Sequence, residues 1–203
     1  MKLSFGRMVS SATLAAAAFV GMSFTAPATA GIAGSPHDFS ARGWGTTEVC
    51  IFCHAPHNTT GGTPLWNHKA TAATFTLYSS TTLNATLAQP AGVSKLCLSC
   101  HDGTVAVDSY GTRTGATNVA GTRLIGTDLS NDHPIGFAYT AALATADGGL
   151  VAPASASQVV AGVPLYGSQL ECASCHDVHN NTLGSFLRMA NTGSALCVKC
   201  HTK

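Results

Sequence analysis

Charged side chains are scarce in this sequence of 203 residues. Asp, Glu, Lys and Arg make up 9% of it, and the few Lys and Arg residues are not gathered into a basic patch. Nucleic-acid binding through phosphate contacts needs such a patch, so we expect no nucleic-acid partner. No apolar run after Gly31 is long enough to span a bilayer, so we also expect no membrane span in the mature chain.

Methionine is also scarce. Of the four methionines, Met1, Met8 and Met22 lie near the N-terminus, and only Met189 lies further along the chain. A metal centre that uses a thioether ligand would therefore have Met189 alone to draw on.

The N-terminal segment has the pattern of an export signal. Lys2 and Arg7 begin a mostly apolar stretch, which ends at the small-residue cleavage pattern Ala28–Ala30. A membrane anchor is the alternative, but the apolar stretch is short and interrupted by serines. We therefore predict a signal peptide over 1–30 and a secreted mature chain, extracellular or at the cell surface, with the periplasm as the alternative location.

All eight cysteines belong to one motif, CxxCH, which occurs four times. The first motif is Cys50, Cys53 and His54; the second is Cys97, Cys100 and His101; the third is Cys172, Cys175 and His176; the fourth is Cys197, Cys200 and His201. Zinc sites also use paired CxxC, but a histidine directly after every pair is the signature of c-type haem attachment. We therefore predict four haem c groups, bound through the cysteines, with each motif histidine as the proximal iron ligand.

The motifs alternate between two forms. The first and third are followed by a further histidine, His57 or His179, whereas the second and fourth are preceded by leucine and lack it. Each longer form also follows a histidine in a turn-like context, His37 or His133. This alternation indicates a duplication that gave two di-haem modules. The predicted modules span 31–130 and 131–203.

Regular secondary structure is predicted to be sparse. Short α-helices are expected around the motifs, above all over Ser194–His201, and short elements over 71–77 or 139–143. No sheet is predicted. Loops are expected where Gly, Pro, Ser, Thr and Ala dominate, at 61–64, 111–127 and 144–169. The predicted fold class is mostly irregular coil with short α-helices organised around four covalently bound haems, a multihaem cytochrome c.

Aromatic and basic residues supply the expected surroundings of the haems. The aromatic residues expected to pack on haems are Phe39, Trp44, Trp66, Phe75, Tyr78, Phe137, Tyr139 and Phe186. The basic residues that are candidates for pairing with haem propionates, or else solvated surface cations, are Arg42, Lys69, Arg113, Arg123 and Arg188.

Each iron needs a second axial ligand or keeps an open position. Because Met189 can serve one iron at most, we expect two histidines on each iron. The predicted distal ligands are His37, His57, His133 and His179. The remaining histidine, His68, has no counterpart in the second module, so it is the surplus one or else replaces His37.

The trailing histidines are too close to their own motifs to reach the opposite face of the same haem. We expect His57 to bind the haem of the second motif, and His179 that of the fourth. His37 and His133 would complete the other two, or one of them would come from another subunit. Two histidines close both axial positions of an iron, so the sequence predicts electron transfer and not an enzyme.

Several stretches around these residues resemble a known group of proteins. They are SPHDFS, CIFCHAPHN, PLWNH, LCLSCHDGTVAVDSYG, DHPIGFAY, CASCHDVHN and LCVKCH. In this order they resemble the OmcE-type extracellular tetrahaem cytochromes of metal-reducing bacteria.

The resemblance implies a homopolymeric filament that carries electrons from redox partner cytochromes to extracellular acceptors. It also implies a histidine that completes a haem of the neighbouring subunit, most naturally His37. A monomeric periplasmic tetrahaem shuttle is the main rival, and a multihaem reductase with one open iron is the second.

Overall fold

The computed structural model describes residues 31–57, 59 and 65–202. The predicted signal peptide and the predicted loop over 61–64 lie outside them. Most of the described chain is coil and turn, with three short α-helices, four 3-10 helices and one two-stranded sheet. The prediction of a mostly irregular chain with short helices is therefore confirmed, and it is consistent with a multihaem cytochrome. No helix in this part of the chain is both long and apolar enough to cross a bilayer.

The three α-helices are Gly92–His101 (α1), Ala141–Asp147 (α2) and Cys172–Cys175 (α3). The second motif is helical from end to end in α1, and α3 holds the cysteines of the third motif. Helix α2 begins where the Thr140 hydroxyl accepts a hydrogen bond from the Leu143 N–H, and it ends at Gly148 in the left-handed region.

The 3-10 helices are single turns at Ser40–Arg42, Gly121–Arg123, Thr192–Ser194 and Cys197–Lys199. The last two replace the α-helix that was predicted over Ser194–His201, so that prediction is wrong. Gly193 and Ser194 both have positive φ, of 61° and 63°, which interrupts a right-handed helix. The fourth motif is therefore held in a tighter turn than the second.

A small antiparallel sheet was not predicted from the sequence. Strand β1, Phe137–Ala138, pairs with strand β2, Gln169–Leu170, and Phe137 lies opposite Leu170. The two strands flank the coil over 144–169, and a two-residue strand has no periodicity that a sequence pattern could reveal. The sheet contributes to the larger apolar core, whose buried residues are Phe137, Tyr139, Val159, Val163, Leu165 and Leu170.

A smaller core joins α1 to the coil around it. Leu98 of α1 packs with Phe75 and Leu129, and all three side chains are buried. The segment over 71–77 contains neither a helix nor a strand, only a single bridge from Thr76 to Asp128. Helix α1 also packs against α3, across the proposed module boundary at residue 130. The division into two modules stays a prediction.

Candidate functional site

The attachment cysteines lie next to one another in the order of the motifs. Burial raises the pKa of the Cys100 thiol to about 12, and the next cause is the nearby Cys53 of the first motif. The thiol of Cys97 is hydrogen-bonded to that of Cys172 in the third motif. Cys175 in turn lies close enough to Cys197 of the fourth motif for that thiol to influence its pKa, although burial is the larger cause. All eight cysteines are free thiols.

Three motif histidines face a second histidine ring. The distances between ring centres are 6.1 Å for His37 and His101, 6.2 Å for His54 and His179, and 6.2 Å for His133 and His201. Two imidazoles on opposite sides of one metal, each with a metal–nitrogen distance of about 2 Å, place their ring centres about 6 Å apart. These pairs therefore fit two axial ligands of a haem iron as they stand.

The partners of these pairs differ from those expected. His179 was assigned to the haem of the fourth motif, but its ring faces His54 of the first. His133 is the residue that faces His201. The physical reason is chain geometry: the backbone N–H of Gly31 bonds to the His179 carbonyl at 2.9 Å, which ties this segment to the start of the described chain.

His37 lies within its own subunit's site. Its ring faces that of His101 and stacks on Phe186, with ring centres 4.5 Å apart and an interplanar angle of 10°. Burial, and next the charge of His101, lower the pKa of His37 to about 4. A neutral imidazole is the form that binds iron, so this environment suits a ligand. The expectation that His37 serves a neighbouring subunit does not agree with this placement.

Backbone carbonyls fix the orientation of several of these rings. The Nδ1 atoms of His101, His176 and His133 lie 2.8 Å, 2.9 Å and 2.9 Å from the carbonyl oxygens of Arg123, Ser185 and Pro134. A ring whose Nδ1–H donates to a carbonyl presents an unprotonated Nε2, which is the atom that ligates iron. Sequence reasoning did not find these carbonyls, because any residue type can supply one.

His176 has the orientation of an iron ligand without a partner ring. Its Nδ1 is bonded to the Ser185 carbonyl, and the side chain is exposed. Among the described residues, no second histidine ring faces it as His179 faces His54. His57 is also exposed, and it too has no facing ring in this part of the chain. The third motif and His57 are thus the two incomplete parts of an otherwise paired set.

His68 occupies a different environment from the paired histidines. The side chain is buried, its Nδ1 lies 2.8 Å from the Lys69 carbonyl oxygen, and its Nε2 lies 3.1 Å from that of Ala106. The Cys100 Sγ atom lies 3.5 Å from Nε2. Both ring nitrogens therefore face other groups, and neither points to an iron. The geometry favours the interpretation of His68 as the surplus histidine.

Exposed apolar side chains mark the surfaces beside the motifs. Leu65 is 49% exposed and, with Cys50 and His54, lines an open cavity of about 310 Å³ beside the first motif. The other exposed large apolar residues are Leu124 and Ile125 beside His101, Val178 and Leu183 after the third motif, and Val198 within the fourth. Such side chains are the expected cover of an apolar macrocycle, so the donor set and its surroundings both fit haem c.

The candidate partners for propionates are only partly available. Arg113 pairs with Asp108 at 3.2 Å. Arg188 donates to the Ala173 carbonyl at 2.7 Å and lies 3.4 Å from an Asp177 oxygen, so it braces the third motif. Arg123 is exposed and lies close enough to His37 for its charge to lower that histidine's pKa, after burial and His101.

A comparison with protein families agrees with this geometry. The family described as "Doubled CXXCH motif" matches residues 166–203, which include the third and fourth motifs. Among curated proteins, none matches the chain. The doubled motif indicates covalent attachment of haem c, and it is a feature of multihaem c-type cytochromes, which are generally electron-transfer proteins.

Proposed function

We propose that this chain carries four bis-histidine c-type haems and is the subunit of an extracellular filament that conducts electrons to external acceptors. When bound, haem iron supplies one-electron chemistry by alternating between its ferric and ferrous states. The cysteines of each motif would hold the group covalently. The histidine pairs would close both axial positions, so oxygen, nitrite or peroxide would find no open site on those irons.

One observation carries the polymeric part of the proposal. His176 is oriented as a ligand but lacks a facing ring within the described chain, and His57 is exposed without one. His57 lies beside the first motif, whereas His176 belongs to the third. If His57 of one subunit faces His176 of the next, the contact joins two different patches. Such a head-to-tail contact repeats without closing and generates a filament.

The experiment compares secreted wild-type protein with the variant His57→Ala by negative-stain electron microscopy. We expect filaments from the wild type and small single particles from the variant, in which one haem of four becomes high-spin. The variant His68→Ala is the matched control, because His68 is not assigned to any iron, and it should still form filaments.

The opposite results favour the two alternatives. Only monodisperse small particles from the wild type would contradict the filament and support a monomeric periplasmic shuttle. If the wild-type particles also turn over nitrite or peroxide, the iron held by His176 is open, and the reductase is supported. Filaments that persist in His57→Ala would contradict the role of His57 and leave the electron-transfer proposal intact.

A further inference from the structure

Helices α1 and α3 are joined by a single buried carboxylate, that of Glu171. Its Oε2 accepts a hydrogen bond of 3.0 Å from the Ser94 N–H in the first turn of α1. The same side chain accepts a bond from the Ser174 N–H, as the cap of α3. The Ser94 hydroxyl completes the link by accepting from the Cys172 N–H at 2.9 Å. Glu171 is only 4% exposed, and Ser94 and Ser174 are fully buried.

This carboxylate lies beside the attachment cysteines of two motifs. The Cys97 and Cys172 thiols share a hydrogen bond, which is the largest cause of the raised pKa of Cys97. The charge of Glu171 adds to that rise, and it opposes the lowering of the Cys172 pKa. Glu171 therefore stands at the contact between the second and third motifs, within electrostatic reach of both.

The charge of Glu171 is not compensated by a basic side chain. None of the described Lys, Arg or His residues forms an ion pair with it, and its bonds come from backbone N–H groups. Water screens a charge in this buried position less than it screens a surface charge. A nearby negative charge stabilises ferric iron relative to ferrous iron, and so lowers the reduction potential of a haem.

We infer that Glu171 is a positioning residue that docks the second motif on the third and whose charge lowers the reduction potentials of the haems at both. The inference rests on haem attachment to these two motifs and not on polymerisation. The sequence carries a signal for it: a glutamate directly before CxxC with a serine three residues later is a capping pattern.

The test compares holoprotein variants in a potentiometric titration followed by visible absorption and electron paramagnetic resonance. Glu171→Gln keeps an acceptor oxygen but removes the charge, so two of the four potentials should shift to more positive values. Glu171→Asp keeps the charge but withdraws it from Ser94, so one potential should shift. Ser94→Ala, which removes a hydrogen bond at the same contact without changing charge, and Asp128→Asn, which neutralises an exposed carboxylate, should leave all four potentials unchanged.

Unchanged potentials in Glu171→Gln, or an equal shift in Ser94→Ala, would overturn the inference. Should Glu171→Gln fail to mature, Glu171→Asp decides alone, because potentials identical to those of the wild type would also overturn it. The intact mass of the wild type, with one haem per motif expected, tests the proposed cofactor content separately. A failure of that measurement is therefore distinguishable from a failure of the role of Glu171.

Discussion

The ring centres of His54 and His179 lie 6.2 Å apart, with the ring planes inclined by 22°. The first residue belongs to the first motif, and the second follows the third motif. The pairing therefore ties the two longer forms of the repeat to each other, where the sequence alone favoured pairing each with its neighbour. It also leaves His176 beside a segment whose own trailing histidine is already engaged.

Replacement of His179 tests this pairing directly. In His179→Ala, the iron of the first motif should lose one axial ligand and become high-spin, while the other spectra are kept. His179→Met is the matched control, because a thioether should keep the iron low-spin and raise one potential. Resonance Raman spectra and a potentiometric titration measure both effects. Unchanged low-spin spectra in His179→Ala would contradict the pairing.

The pair of His133 and His201 makes a similar prediction for the fourth motif. We expect His133→Met to shift one reduction potential to a more positive value, because a Met/His pair stabilises ferrous iron more than two imidazoles do. The exposed histidine His57 provides a comparison, since its replacement by Met should affect a different iron. Identical shifts of the same potential in both variants would show that the two histidines are not on separate irons.

His68 is expected to be structural and not a ligand. His68→Ala should keep all low-spin haem signals but lower the free energy of unfolding by about 1–3 kcal/mol, the usual cost of leaving buried hydrogen-bonding groups unpaired. Denaturant unfolding, followed by circular dichroism, measures this loss. The appearance of a high-spin haem in this variant would instead identify His68 as an axial ligand.

Asp108 should make the stability of the protein depend on pH. Burial pushes its pKa up, but hydrogen bonds from the Thr117 N–H, Arg113 and the Ala116 N–H outweigh burial and hold the pKa below its ordinary value. The folded protein therefore favours the ionised form. Its contribution is fully present above the ordinary pKa and is lost as pH falls through the lowered one.

The corresponding variant is Asp108→Asn. Near neutral pH it should unfold with a free energy lower by about 1–3 kcal/mol, because charge-assisted hydrogen bonds are lost. Below the ordinary pKa the difference between variant and wild type should shrink. Asp128→Asn, at an exposed carboxylate, should change stability little at either pH. A difference that stays constant down to strongly acidic pH would contradict this assignment.

The attachment residues could be predicted because their information is local. CxxCH is a contiguous pattern, and its scarcity of alternatives made the haems predictable without a fold. The coil-rich architecture was also predictable, from Gly, Pro and Ser content between the motifs. The pairing of His37 with His101 or of His54 with His179 was not, because it depends on how distant segments of coil pack, and no periodicity records that.

The contact between α1 and α3 illustrates the same limit. The capping pattern at Glu171 is visible in the sequence, but the bond to Ser94 joins segments that are far apart in the chain. The two-residue strands of the small sheet were likewise invisible, since they are defined by their partner and not by their own residues. Local chemistry was therefore readable, and long-range pairing was not.

The exposed apolar residues beside the motifs have a consequence for the order of assembly. Leu183 and Val198 are 50% and 56% exposed, so a chain released before haem attachment would present sticky patches at each motif. Such patches favour aggregation and attract proteases. Export and cofactor insertion must then be coupled in time, and cells that lack the attachment machinery should accumulate degraded fragments in place of folded apoprotein.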